Sequence, residues 1–102
     1  MFGDLFGNME EKQQEMRKRL AAITVEGTAG DGAVTVKANA NREIINISIK
    51  KESVSPDDLE QLEDLILIAT NRALEAAMEV ETREAANLLK DMMPPGLGNL
   101  FG

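Results

Sequence analysis

Charged side chains carry nearly all the chemistry open to this 102-residue chain, because it contains neither cysteine nor histidine. Thiol nucleophiles, disulfides, imidazole bases and the usual soft-metal ligands are therefore excluded. Carboxylates remain, in Glu60, Glu63 and Asp64 and again in Glu75, Glu79 and Glu81. They are interleaved with apolar positions at helical spacing, which is the pattern of a solvated helix face and not of an acid/base pair. Gly30-Asp31-Gly32 is too short to cradle a phosphate and opens a strand, so it reads as a turn. The expectation is a protein that is not an enzyme, with no catalytic residue, cofactor, metal or small-molecule substrate.

Binding is what the residues leave open. The one concentrated basic segment is Lys12, Arg17, Lys18 and Arg19, and Arg83 and Lys90 lie far along the chain. As phosphate contacts these six would position a nucleic acid without reading its bases. Eleven basic against eighteen acidic residues give a formal charge of −7, which taken whole disfavours nucleic acid and anionic membranes. Glu15 can pair with Lys18 and Arg19, and Glu10 lies beside Arg17, so part of the local charge is neutralised. A local basic surface can still bind, since screening confines distant carboxylates to about 8 Å at physiological salt. The rival expectation is an acidic protein-interaction module with weak or no DNA binding.

The elements that must position these residues follow from periodicity. Asn8 can cap a helix in which Met9, Gln13, Met16, Leu20 and Ile23 recur every three or four residues. From Ile23 the period falls to two, and Ile23, Val25, Gly27 and Ala29 alternate with Thr24, Glu26 and Thr28. A turn at Gly30–Gly32, a strand carrying Val34, Val36 and Ala38, and a turn at Asn39-Ala40-Asn41-Arg42 come next. The third strand sets Ile45, Ile47 and Ile49 against Ile44, Asn46 and Ser48. Short connections make the three strands antiparallel neighbours. The fold class is α+β, in the order α-β-β-β-α. One domain spans 1–102, with a core and arms over 8–93 and flexible tails at 1–7 and 94–102.

Ser55-Pro56-Asp57-Asp58 is the clearest helix start in the chain, and no Gly or Pro follows until Pro94. The second helix thus runs from Pro56 to about Asp91, roughly 50 Å at 1.5 Å per residue. A compact chain of this size has a radius of gyration near 13 Å, so the helix must project beyond its sheet. Leu62, Leu65, Ile66, Ile68 and Ala69 make its first half apolar around much of the circumference. One small sheet and one short helix cannot cover that surface, and a two-fold homodimer is the economical answer. The first helix enters the sheet and the second leaves it, so both chain ends meet at one distal tip. All three Phe residues lie in those ends, at Phe2, Phe6 and Phe101, as a possible contact patch. No run suits a membrane span and the N-terminus lacks a signal peptide, so a cytosolic protein is expected.

Several stretches, in order, resemble a known family. They are Ala22-Ile23-Thr24-Val25-Glu26-Gly27, the Gly30-Asp31-Gly32 turn and the Ser55-Pro56-Asp57-Asp58-Leu59 helix start. Leu62-Glu63-Asp64-Leu65-Ile66, Ala69-Thr70-Asn71-Arg72-Ala73-Leu74 and Met93-Pro94-Pro95-Gly96 follow. Across essentially the whole chain this pattern is similar to the YbaB/EbfC family of bacterial nucleoid-associated proteins. The resemblance implies a homodimer with tweezer-like helical arms that binds duplex DNA with loose sequence preference. It also implies a place in the nucleoid and effects on gene expression. Two departures stand out, the Gly- and Phe-bearing N-terminal segment and an opening helix poorer in Lys than in many relatives.

Overall fold

A computed structural model describes the backbone of residues 2–92 and the side chains of residues 7–91. Helix α1 (Phe2–Ala21) leads into strands β1 (Thr24–Ala29), β2 (Val34–Asn39) and β3 (Ile44–Ile49), then a 3-10 turn and helix α2 (Leu59–Met92). The sheet order is β1-β2-β3, antiparallel throughout. The α-β-β-β-α order is the one the periodicities predict. The Pro-Pro-Gly segment and the expected tail at 94–102 lie outside the described residues, as do all three Phe side chains.

The core is thin and made of small residues. Val34, Val36 and Ala38 of β2 and Ala29 of β1 pack against Ala69 and Ala73 of α2, all nearly or fully buried. Ala69, Ala73 and Ala77 recur every four residues and so share one face of α2. Methyl-sized side chains there let helix and sheet approach closely. At Gly27 the approach is limiting: a Cβ on that residue would sit 2.3 Å from both the Ala69 carbonyl oxygen and the Ala73 nitrogen. Packing this close leaves α2 over β1 and β2, and β3 lies beyond its cover.

Three details depart from the sequence expectation. Helix α1 begins at Phe2, so residues 2–7, expected as a tail, continue the helix, and Asn8 is interior. Once a helix is nucleated, each further residue costs little, and a mid-chain cap signal need not stop it. At α2 the cap is Asp58, not Ser55. Its Oδ1 accepts the Gln61 N–H at 3.0 Å, while Ser55 to Asp58 closes a turn through Asp58 N–H and the Ser55 carbonyl at 3.1 Å.

The third departure is in β3. Lys37 pairs with Asn46 but Ala38 pairs with Ile44, so Ile45 is the extra residue of a β-bulge. The bulge brings Ile44 opposite Ala38, onto the face shared by Ile47 and Ile49. Those three stand opposite Ala38, Val36 and Val34, whose side chains are fully buried, yet they remain 42 %, 45 % and 40 % exposed.

The β2–β3 loop is built around one buried amide. Asn39 Oδ1 accepts the N–H groups of Asn41 (3.0 Å) and Glu43 (3.1 Å), and its Nδ2 donates to Glu43 Oε1 (2.8 Å). Such an Asx-type turn fixes the loop locally. Arg42 completes it at φ 66°, in the left-handed region. The radius of gyration is 19.0 Å and the longest extent 64 Å, well beyond the ~13 Å radius of a compact domain of this length.

Candidate nucleic-acid interface

The two helices run antiparallel and touch over a limited stretch. Two open grooves lie along the seam, and Met16 and Leu88 line both. One groove is lined by Lys12, Glu15, Met16, Arg19 and Leu88. The other is wider and includes Arg17, Leu20, Asn41, Arg42, Glu81 and Leu88. Of the α1 side chains from residue 7 onward only Leu20 is buried, and Met9 is 47 % exposed. Most of α1 therefore stands in solvent, anchored near its C-terminal end.

All six basic residues singled out from the sequence are exposed. The fold gathers four of them on α1 but does not put them on one surface. Lys12 and Arg19 face one groove, Arg17 faces the other, and Lys18 shares a shallow depression with Arg17, Asn41 and Glu43. Arg19 is not free, since its Nε lies 3.5 Å from Glu84 Oε2 of α2. Arg83 is not brought beside Lys12. It lines a depression on α2 with Glu75, Met78, Glu79 and Thr82. Lys90, seven residues further along α2, lies on the same flank within about 20°.

Sequence reasoning missed Arg42. It lies in a loop with no helical period to flag it, yet the fold carries it into the groove of Arg17. There its Nε sits 3.4 Å from Glu81 Oε2. Glu81 and Glu84, one turn apart on α2, thus hold one arginine from the loop and one from α1. Arg72 serves the fold, donating from Nη1 to the Thr28 carbonyl at 2.7 Å.

The residues expected at a dimer interface divide in two. Ala69 is fully buried in the protomer's own core and cannot reach a partner, because the closeness of Gly27 seals it. Leu62, Leu65 and Ile66 are half-buried against that core, while Ile68 is 41 % exposed. Exposed apolar side chains also include Ile44, Ile47 and Ile49 of β3 and Leu59 and Leu67 of α2, the last two more than 55 % exposed.

The pattern describing the YbaB/EbfC DNA-binding family matches residues 2–92. The chain belongs to that family. A nucleoid-associated protein of Chloroflexus aurantiacus is 45 % identical over 94 residues, covering 92 % of this chain and 86 % of its own. The nucleoid-associated protein YaaK of Bacillus subtilis is 48 % identical over 77 residues, covering 76 % and 72 %. An uncharacterised Helicobacter pylori protein of known crystal structure, HP0035, superposes with a TM-score of 0.74 at 22 % identity, covering 86 % and 92 %, and shares the fold. Nucleoid-associated, DNA-binding YbaB/EbfC proteins are thus the company this chain keeps. Among the described residues no helix is long and apolar enough to cross a membrane.

Proposed function

We propose that this YbaB/EbfC chain acts as a homodimer that binds duplex DNA with little sequence preference through its exposed helices, within the nucleoid. Its effect on gene expression would follow from DNA occupancy. The observation that carries the reading is the solvent-exposed α1, which presents Lys12, Arg17 and Lys18 with almost no part of the helix buried. Long cationic side chains on a protruding helix suit backbone phosphates, contacts that carry no sequence information. The dimer rests on β3, an edge strand whose isoleucines face solvent beside an exposed flank of α2. An apolar edge strand of this kind invites association unless it is covered, and a two-fold copy covers both at once.

Titration of duplex DNA with the full chain tests this. With about five phosphates contacted, log Kd should rise with log salt at a slope near 4.5, or roughly 500-fold between 50 and 200 mM. Changing Lys12, Arg17 and Lys18 to Glu should abolish low-salt binding. Absence of wild-type binding at low salt, or indifference to those changes, refutes the assignment.

The Arg19–Glu84 pair makes a finer prediction. Phosphate must compete with this carboxylate for the guanidinium. An ion pair this exposed contributes at most about 1 kcal/mol, so Glu84→Gln should tighten binding by up to about fivefold. In an Arg19→Gln background the gain should vanish, whereas a general charge effect would persist.

A further inference from the structure

We infer that Asn41, in the β2–β3 loop, is a positioning residue that aims the basic helix α1; this rests on the DNA reading above and names the part of the fold that serves it. Among the described residues, helix α1 is held near its C-terminal end. The Ala40 N–H donates to the carbonyls of Leu20 (3.1 Å) and Ile23 (3.0 Å), fixing where the helix ends. A single fixed point leaves a rod free to swing. Asn41 supplies the second point: its Nδ2 donates to the Arg17 carbonyl at 2.8 Å, one turn back along the helix. Two points about 4.5 Å apart on the axis define a direction. The remaining link is the ion pair of the well-exposed Arg19 with the partly buried Glu84, and phosphate competes for that guanidinium.

Asn41 can do this because it is itself held. Its backbone N–H is bound by Asn39 Oδ1, and Asn39 is 7 % exposed with both its side-chain oxygen and nitrogen hydrogen-bonded. Arg42 ties the far side of the loop to Glu81 on α2. The chain of contacts therefore runs from α2 through the loop to α1, and it does not depend on packing along the α1–α2 seam. The leverage is large. Lys12 lies eight residues from Leu20, about 12 Å along the axis, so a 20° swing displaces it by about 4 Å. That exceeds the reach of a hydrogen bond to a phosphate. Asn41 would thus decide how many basic groups meet the backbone together while touching no nucleic acid itself.

The test is Asn41→Ala in the full chain, a change that leaves the formal charge untouched. Three- to tenfold weaker binding at low salt is expected, with the slope of log Kd against log salt smaller by one or two. A residue that only stabilised the fold would shift the melting temperature and leave that slope alone. With Lys12, Arg17 and Lys18 changed to Gln, Asn41→Ala should make no further difference, because it acts through them. An undiminished effect in that background overturns the inference, as does wild-type affinity and slope in the single variant. A readout without DNA separates this from the DNA reading. Because the chain has no cysteine, a fluorophore on Gln14→Cys reports α1 alone. Asn41→Ala should widen its nanosecond anisotropy decay; an unchanged decay overturns the positioning role whether or not DNA binds.

Discussion

Gly27→Ala is expected to destabilise the protein by about 3 kcal/mol or more, although it adds one methyl group. The added carbon would lie 2.3 Å from the Ala69 oxygen and the Ala73 nitrogen and 2.8 Å from the Arg72 carbonyl carbon. All three are backbone atoms of a continuous helix, so no side chain can rotate away. Relief requires α2 to lift from the sheet by about an ångström, which opens the contacts of Val34, Val36, Ala69 and Ala73 together. Close-packed interiors lose a good part of each contact's attraction over such a gap. Urea unfolding followed by circular dichroism would measure the loss. The matched substitution has the opposite sign elsewhere. Gly7 lies inside α1 with nothing within 4 Å of its Cβ position, so Gly7→Ala should stabilise by up to about 1 kcal/mol. Equal losses at both positions would show that the close approach at Gly27 is not the cause.

The contrast shows what sequence could and could not supply. Alternation gave the three strands and the inward face of β2, because Val34, Val36 and Ala38 must face one way for any core to form. The uninterrupted run after Ser55 gave the length of α2 to within three residues at its start. Gly27 reads from alternation only as an inward position of β1. Its meaning lies in a helix backbone more than forty residues later, which no local pattern encodes. The β3 segment Ile44-Ile45-Asn46-Ile47-Ser48-Ile49 supports two registers, and only pairing with β2 decides that Ile45 bulges out. Ala69 was misjudged for a related reason, since apolar character cannot separate a face turned to the protomer's own sheet from one turned outward. Among the basic residues, the α1 cluster could be read from composition. The capture of Arg19 by Glu84, the entry of Arg42 into the groove and the separation of Arg83 from Lys12 depend on helix docking. Asn39 and Asn41 showed only as turn formers, which they are; that their amides also hold a distant helix appears only in three dimensions.

Ile47→Lys is expected to convert the proposed dimer to monomers at micromolar concentration. Ile47 pairs with the fully buried Val36 in the sheet yet remains 45 % exposed, because α2 stops short of β3. Covering the remaining half of such a side chain contributes about 1 kcal/mol per copy, and two-fold symmetry doubles every change at the interface. A lysine there must also lose water around its ammonium or stretch out to keep it. Together these give about 3 kcal/mol or more, at least a hundredfold in Kd. Light scattering across a dilution series reads the change directly, and a monomeric mass for the wild type at micromolar concentration removes the dimer altogether. Ile45 supplies the control. It is more exposed, at 55 %, but as the extra residue of the bulge it pairs with no residue of β2. Ile45→Lys should therefore leave the mass nearer to that of a dimer. Were Ile45→Lys the disruptive change and Ile47→Lys the silent one, the contact would centre on the bulge and not on the paired part of β3. Dissociation should also weaken DNA binding, because each protomer then brings its basic helix alone and the salt slope falls by about half. In the proposed dimer the length of α2 would bear on DNA by spacing two α1 helices, and the isoleucines of β3 would fix that spacing.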